Sequence, residues 1–292
     1  MHLITLLSDF GLNNAYVSQM KGVIASIAPM ATCVDISHTV PPQQVRIGSF
    51  LLSSSVDFFP KGTIHVAVVD PGVGTMRRGI VVVTPKQVFV GPDNGLLINA
   101  AKKQGHFDVY EITNDSLFNT TISHTFHGRD IFAPVAAHIA RGVSFEHIGK
   151  KINDYHVLET SRPRINGDIV EADVEFIDDF GNIITNLSAI TFHSFIRFEK
   201  TCKIKIKRKK ITVPFVSTYG HCPQNETLIT TGSTGFIEIA INQGNAAKTY
   251  DLSIGDSVTF DFTQEKKMEQ NKDVKIGKNT DEEKSLEFKD GI

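Results

Sequence analysis

The sequence is short of cysteine, of long apolar runs and of excess charge of either sign. Its three cysteines, Cys33, Cys202 and Cys222, form no C-x-x-C pair, which argues against a disulfide framework or a zinc knuckle and favours a reducing compartment. No apolar stretch reaches the roughly 18 residues that a membrane helix needs. Residues 1–7 lack the basic start and the long apolar core of a signal peptide. We therefore expect a cytoplasmic protein with no membrane contact.

Charge is balanced overall but unevenly spread along the 292 residues. The 30 Lys and Arg residues offset 32 Asp and Glu residues, so there is no basic field of the kind that a general nucleic-acid binder needs. Of the last 30 residues, 15 are charged, whereas the preceding 262 carry only 47 charged residues. The sequence predicts a compact body followed by a charged tail over residues 263–292, whose low apolar content is typical of disorder.

The first 160 residues alternate between strand-like and helix-like patterns. Apolar residues at helical spacing predict helices over 16–28 and 45–55. Short apolar runs predict buried strands over 3–7, 32–36, 64–69, 80–84 and 88–90. This order is typical of parallel βαβ units. We expect an α/β amino-terminal domain over residues 1–160, with a largely parallel sheet and flanking helices.

The sequence pattern changes after residue 160, where Gly, Asn and Ser separate short β-rich runs and no long helical pattern occurs. The runs cover residues 169–177, 183–187, 203–213, 227–230 and 236–241. Such spacing is typical of an antiparallel barrel or sandwich. We expect an all-β, barrel-like carboxyl-terminal domain over residues 164–262, with the boundary at Ser161-Arg162-Pro163.

Two polar stretches of the first domain are candidates for chemistry. Asp70 follows a predicted strand, at the kind of edge where open parallel sheets bind ligands, and Arg77 follows in the same Gly-rich stretch. A capped turn with solvated arginines has the same pattern. His127 precedes a predicted helix over 131–139, where an acid/base or hydrogen-bonding role suits it, although a structural histidine fits equally. We interpret Asp130 as the cap of that helix.

The second domain offers two further candidates. Asp178-Asp179-Phe180-Gly181-Asn182 combines carboxylates, an aromatic ring and an amide, which suits polar recognition with stacking but also an ordinary β-turn. Gly232 to Glu238 has small residues that let backbone approach a ligand, or that form a hairpin. The basic stretch 200–210 alternates as a lysine-guarded edge strand does. The sequence has no H-E-x-x-H, G-x-S-x-G or G-x-x-x-x-G-K-S/T motif, so zinc and the commonest hydrolase and NTPase sites are not indicated.

Six stretches, taken in order, resemble a known family. They are S-D-F-G at 8–11, V-D-P-G-V-G at 69–74, G-P-D-N-G-L-L at 91–97, F-H-G-R-D at 126–130, D-x-F-G-N at 178–182 and G-S-x-G at 232–235. Each is weak alone. Together, over residues 3–260, they resemble the S-adenosylmethionine (SAM) hydrolases that form adenosine, also called SAM hydroxide adenosyltransferases. Fluorinases and chlorinases are related to these enzymes.

The resemblance implies an α/β domain joined to a barrel-like domain, in a homotrimer whose sites lie at subunit interfaces. It implies SAM as substrate, with no metal and no separate cofactor. Asp70, Arg77 and His127 match the set that holds and activates a water or hydroxide for attack at ribose C5′. The matched substrate contacts are Asp9 for both ribose hydroxyls, Asp178 for the methionine ammonium, Ser233 for its carboxylate, Asn182 and Phe180 for adenine, and Glu238 and Ile241 for the pocket lining.

Two alternatives to hydrolysis stay open. In related halogenases a tyrosine-proline pair stands where this chain has Asp70-Pro71, and position 127 is not histidine. A carboxylate at the nucleophile site repels halide, which favours water, although Gly128 alone does not exclude a loose halide site. The other alternative is a non-catalytic adenosine- or SAM-binding sensor, which has no need of a water-activating set. We expect hydrolysis of SAM to adenosine and L-methionine.

Overall fold

The computed structural model of the protein describes residues 2–263, which form two compact units. The first unit extends to Glu159 and the second begins at Thr160. The predicted tail over 263–292 lies outside the described residues, apart from Thr263. None of the helices found in residues 2–263 is long and apolar enough to cross a bilayer.

The first unit is built on a seven-stranded sheet of order β2-β1-β3-β5-β4-β6-β7. Its strands are β1 (Leu3–Ser8), β2 (Thr32–Ser37), β3 (Ile64–Val68), β4 (Gly79–Val83), β5 (Val88–Pro92), β6 (Asp108–Glu111) and β7 (Lys151–Ile152). Its helices are α1 (Tyr16–Ile27), α2 (Val45–Ser55), α3 (Ile98–Lys103), α4 (Ala133–Ala140) and α5 (Phe145–Ile148). The predicted helices 16–28 and 45–55 are therefore confirmed, to within one residue.

This sheet is mixed, and the prediction of a largely parallel sheet holds for only half of it. β2, β1, β3 and β5 pair in parallel, whereas β5, β4, β6 and β7 pair antiparallel. A parallel connection needs a crossover of roughly a dozen residues or more, but only residues 84–87 join β4 to β5. The short connection therefore makes these two strands a hairpin.

Successive side chains of the parallel strands point to opposite faces of the sheet, so the core is divided between the two faces. The helices that cover these faces are few and short. Leu6 and Val66 lie side by side in register and are buried with Met20 of α1 and Ala136 of α4. On the opposite face α2 approaches closely at Gly48, where a Cβ would come within 2.9 Å of the side chains of Val69 and Leu96, which follow β3 and β5. Close packing of helices on both faces of the sheet thus fixes the carboxyl ends of β1 and β3.

The second unit is an antiparallel sheet of order β12-β11-β15-β9-β10-β14-β13, with β8 paired to β9. Its strands are β8 (Arg164–Asn166), β9 (Ile169–Ile177), β10 (Ile183–Ser188), β11 (Thr201–Ile206), β12 (Lys209–Pro214), β13 (Thr227–Thr231), β14 (Phe236–Ile241) and β15 (Ser257–Asp261). Two short helices, α6 (Ala189–His193) and α7 (Ala246–Tyr250), accompany them.

The two edges of this sheet meet, which makes the unit barrel-like as predicted. Phe215, just after β12, bridges to Ile229 of β13, and the Val216 N–H donates to the Ile229 carbonyl at 2.9 Å. Inward side chains of β11 are buried while its lysines face outward. The predicted run 203–213 is in fact two strands, because the chain reverses at Lys207, whose φ is +52°.

Candidate active site

Asp70 and Arg77 form a buried ion pair beyond the carboxyl end of β3. Arg77 Nε donates to Asp70 Oδ1 at 3.1 Å and Nη2 donates to Oδ2 at 2.5 Å. Only 4% of the Asp70 side chain and 10% of the Arg77 side chain are exposed. A two-point contact between planar groups fixes direction as well as distance. The sequence brings it about by placing both residues in one glycine-containing loop between β3 and β4.

His127 joins this pair from a distant part of the chain. Its Nδ1 lies 3.1 Å from Arg77 Nη2. Arginine can only donate, so Nδ1 accepts and the proton of the neutral imidazole is on Nε2. His127 immediately precedes a π-helical turn over Gly128–Phe132 that leads into α4. The structure thus brings together the three residues that the resemblance matched to a water-activating set.

The environment shifts the protonation of both titratable members. Burial raises the pKa of Asp70 above its ordinary value of 3.8, against the opposing charge of Arg77. Burial, aided by the Arg77 charge, lowers the pKa of His127 below 6.5. At neutral pH the group is therefore an ionised, more basic carboxylate beside a neutral imidazole that can donate through Nε2.

One aromatic ring packs against this group, and three others cluster beside the turn that follows His127. The Arg77 guanidinium carbon lies 5.3 Å from the centre of the Phe132 ring. Phe10, Tyr16 and Phe126 pack edge to face, with ring centres 5.0 to 5.9 Å apart, and a Cβ on Gly128 would come within 3.3 Å of the Phe10 ring. An apolar ring beside a buried ion pair keeps the local dielectric low, which strengthens the electrostatic interactions there. Sequence reasoning missed Phe132, because a phenylalanine in an apolar helical run carries no signal of its own.

The G-P-D-N-G stretch secures the loop that carries Asp70 and Arg77. Asn94 Nδ2 donates to the Val69 carbonyl at 2.8 Å, and Asp93 Oδ2 accepts from Arg78 Nη2 at 2.7 Å. Asp93 Oδ1 also accepts from the His156 N–H at 2.7 Å. These contacts explain a motif to which sequence reasoning assigned no residue role.

Asp130 supports the His127 segment, and the interpretation of Asp130 as a helix cap is wrong. Its carboxylate is buried and accepts from Arg129 Nε at 2.7 Å, Asn119 Nδ2 at 3.0 Å and the Ser123 N–H at 2.9 Å. None of these donors is a backbone N–H at the start of α4. The carboxylate instead ties the 119–123 loop to the turn that follows His127.

Asp9 lies just beyond the carboxyl end of β1, as predicted. One of its carboxylate oxygens, Oδ2, accepts from the Gln43 N–H at 2.8 Å. Gln43 has φ +66°, an uncommon conformation for a non-glycine residue. The direction of the Asp9 carboxylate is thus set by the loop ahead of α2.

Asp178 and Asn182 form a single polar turn in the second unit. Asp178 Oδ1 accepts from the N–H groups of Phe180 and Asn182 at 3.0 and 2.8 Å, and Oδ2 accepts from Asn182 Nδ2 at 2.9 Å. Gly181 has φ +84°, and a Cβ there would clash with Asn245. The ring of Phe180 is 78% exposed, so it is free to stack on a planar ligand.

Glu238 is the other notable carboxylate of this unit. It is buried on β14, where Tyr219 Oη donates to its Oε1 at 2.6 Å. Burial raises the pKa of Glu238, and the negative charge of Asp178 raises it further. Ser233 is exposed in the loop before β14, and Ile241 is buried at the strand's end. Tyr219 was missed by sequence reasoning, because it belongs to no recognisable motif.

Within residues 2–263, no three His, Cys, Asp or Glu side chains are grouped as metal ligands are.

Comparison with known proteins gives consistent matches to one family. Residues 4–149 match the SAM hydroxide adenosyltransferase N-terminal domain, and residues 172–259 match the C-terminal domain. A protein of Salinispora tropica named (R)-S-adenosyl-L-methionine hydrolase is 36% identical over 256 residues, which are 87% of this chain and 95% of that protein. A fluorinase of an Actinoplanes species is 25% identical over 287 residues, with 88% and 96% covered.

A solved structure agrees with these matches. The crystal structure of an uncharacterized conserved protein from Thermotoga maritima is similar with a TM-score of 0.85 and 38% identity, over 88% of this chain and 99% of that chain. The two domain models match one in each unit, and relatives are more than 30% identical over most of the length. The chain therefore belongs to the SAM hydroxide adenosyltransferase family.

Proposed function

We propose that this protein hydrolyses SAM to adenosine and L-methionine by attack of water or hydroxide at ribose C5′. The observation that carries the proposal is the contact of one guanidinium, Arg77, with both Asp70 and His127. Oxygen forms the new bond to C5′, the C5′–S bond breaks, and its electron pair stays on sulfur. The water proton goes to a base, and methionine leaves as a neutral thioether.

The properties of the three residues suit these steps. Asp70 takes the proton or orients the water, because its raised pKa makes it a better base than an ordinary carboxylate. The charge of Arg77 and the Nε2–H of His127 stabilise the oxygen as it becomes anionic. An anionic oxygen meeting a sulfonium neutralises charge, so a pocket without bulk water lowers the barrier. The Phe132 ring, packed on the Arg77 guanidinium, helps to exclude water from this group.

The substrate contacts are proposed on the matched positions. Asp9 accepts from the ribose hydroxyls, Asp178 faces the methionine ammonium and Ser233 lies near its carboxylate. Asn182 contacts adenine, Phe180 packs on it, and Glu238 and Ile241 line the pocket. Two negatively charged turns and an exposed phenylalanine fit a cationic nucleoside ligand.

The remaining expectations belong to the same proposal. We propose a cytoplasmic homotrimer that needs no metal, in which residues 1–160 of one subunit and residues 164–262 of a neighbour complete each site. Sedimentation of the purified full chain tests the trimer. Activity after treatment with a chelator tests the independence from metal.

A chromatographic assay of SAM incubated with the purified protein tests the reaction. Adenosine is expected as the product in chloride-free buffer and also in high chloride, because the Asp70 carboxylate repels halide. 5′-Chloro-5′-deoxyadenosine as the main product in high chloride would replace hydrolysis by halogenation. Intact SAM after a long incubation, together with tight binding of SAM or adenosine, would instead support the sensor.

A further inference from the structure

One residue, His38, holds both ends of the turn that contains Asp9. Its Nδ1 lies 2.7 Å from Ser8 Oγ, and its backbone carbonyl accepts from the Gly11 N–H at 2.7 Å. His38 comes directly after β2, which pairs with β1 in parallel. Asp9 lies between the two attachment points.

The serine hydroxyl that bonds His38 has a second partner. The Phe10 N–H donates to Ser8 Oγ at 3.3 Å, and because a hydroxyl can donate and accept at once, Ser8 Oγ links the backbone of the turn to the His38 ring. Asp35 Oδ1 lies 3.1 Å from the other ring nitrogen, Nε2, in a close contact off the line of an ideal hydrogen bond. Lys21 Nζ in turn donates to Asp35 Oδ2 at 2.6 Å. The imidazole is thus held from both sides.

The residues make a serine-histidine-aspartate arrangement, but the serine is not placed to act as a nucleophile. Ser8 is 1% exposed and His38 is 4% exposed, so no substrate reaches the hydroxyl. A buried and partnered polar group of this kind fixes the geometry of its neighbours. The neighbour that matters here is Asp9, whose carboxylate is also tied to the Gln43 N–H.

We propose that His38 is a positioning residue that sets the Asp9 carboxylate for the ribose hydroxyls of the ligand. This inference rests on the proposed function, in which Asp9 makes that contact. A carboxylate that accepts hydrogen bonds from two hydroxyls must be fixed in both position and direction. His38 fixes the position of Asp9 by holding the turn, and the Gln43 N–H fixes the direction of its carboxylate.

The chain offers a matched control in His65. His65 Nδ1 lies 2.6 Å from Thr5 Oγ1, so it too bonds a hydroxyl of β1, and it too is buried. Thr5 is in the middle of the strand, three residues before Ser8. Substitution of His65 therefore disturbs the same sheet and removes the same kind of bond, without touching the turn around Asp9.

Calorimetric binding of adenosine and of 2′,3′-dideoxyadenosine to the full-length protein tests the proposal, because their affinity ratio isolates the hydroxyl contact. We expect wild type to prefer adenosine. His38→Leu and Ser8→Ala should each reduce that preference about tenfold, as expected for one strong hydrogen bond to a charged group. His38→Asn, which keeps a polar atom near the Nδ1 position, should retain most of it. His65→Leu should lower the melting temperature and leave the preference unchanged.

Kinetics of SAM hydrolysis supply a second measurement. His38→Leu should raise KM for SAM with a smaller change in kcat, and His65→Leu should change neither. An unchanged adenosine preference in both His38→Leu and Ser8→Ala, or no preference in wild type, would overturn the inference. If wild type prefers adenosine but leaves SAM intact, the proposed hydrolysis fails while the positioning role is still decided by the binding ratios.

Discussion

The Arg77 guanidinium holds both oxygens of the Asp70 carboxylate, with Nε 3.1 Å from Oδ1 and Nη2 2.5 Å from Oδ2. Both side chains are almost fully buried. A buried carboxylate without a partner is costly, so this contact keeps Asp70 ionised where burial alone favours the protonated acid. The same arginine also directs His127 through Nη2. One side chain therefore contacts both titratable members, and its charge opposes the effect of burial on the pKa of Asp70 and adds to it at His127.

Replacement of Asp70 by Asn should abolish turnover while sparing binding. The amide keeps the shape of the side chain but cannot take a proton from water. We expect kcat for adenosine formation to fall at least ~100-fold, the lower range for loss of general base catalysis, and the calorimetric affinity for adenosine to change little. Retained turnover would show that Asp70 is not the base.

Replacement of Arg77 by Lys should be nearly as damaging, although the charge is kept. An ammonium cannot make the two-point contact with Asp70 and reach His127 at the same time. We expect kcat to fall more than ~10-fold, and the free energy of unfolding to fall by about 2 kcal/mol or more, since one carboxylate oxygen loses its partner in a buried site. Arg141→Lys is a control, because Arg141 lies at the end of α4 and is exposed. Equal effects of the two substitutions would contradict the role of Arg77.

Removal of the Arg77 charge should shift the acid limb of the pH–rate profile. The reaction needs ionised Asp70 and neutral His127, so activity is lost as pH falls. The charge of Arg77 lowers the pKa of both groups. Its removal in Arg77→Gln should therefore raise both pKa values and move the acid limb of kcat/KM to higher pH. A profile that stays in place, or moves to lower pH, would refute this coupling.

His65 should make the protein sensitive to acid for a reason unrelated to catalysis. Burial lowers the pKa of His65 to about 4, from an ordinary value of 6.5. The unfolded chain therefore takes up a proton between pH 6.5 and pH 4 that the folded protein does not. Proton uptake by the unfolded chain lowers the free energy of unfolding as pH falls from 6.5 toward 4. The loss reaches about 3 kcal/mol, and above pH 6.5 there is none from this residue.

Urea unfolding at pH 7 and pH 4.5 measures this difference. Wild type should lose more stability between the two pH values than His65→Leu, although the variant is less stable at pH 7 because Thr5 loses its partner. An equal loss in both proteins would mean that His65 is protonated in the folded state.

The Tyr219 hydroxyl should tune Glu238. Its bond to Oε1 lowers the pKa of a carboxyl that burial raises. Tyr219→Phe should therefore favour protonated Glu238 and weaken a pocket for a cation, with KM for SAM rising about tenfold. Tyr250→Phe is the matched control, since Tyr250 Oη makes a bond of the same length, 2.6 Å, to Thr227 Oγ1. A KM that changes equally in both variants would exclude a specific role for Tyr219.

The fold could be predicted from the sequence where one element carries its own pattern. Helices α1 and α2 were located by apolar spacing, and the barrel-like unit by short strands between turns. Strand direction was predicted less well, because the apolar pattern of β4 is the same for a parallel and an antiparallel strand. The signal was present in the spacing, since residues 84–87 are too few for a parallel crossover.

The site could be predicted only in part, because its contacts join residues far apart in the chain. Asp70 and Arg77 share one loop, so their proximity follows from local sequence. His127 lies 50 residues beyond Arg77, and only the family resemblance brought it to the same group. Partners such as Phe132 and Tyr219 have no pattern of their own, and tertiary packing alone assigns them.

Hydrolysis of SAM in water enriched in oxygen-18, followed by mass spectrometry of the products, shows which atom the water attacks. We expect one heavy oxygen in the 5′-hydroxyl of adenosine and none in methionine, with labelled adenosine formed by wild type and at least ~100-fold more slowly by Asp70→Asn. Adenosine without the label, or labelled adenosine formed equally fast by Asp70→Asn, would contradict attack at C5′ by a water that Asp70 activates.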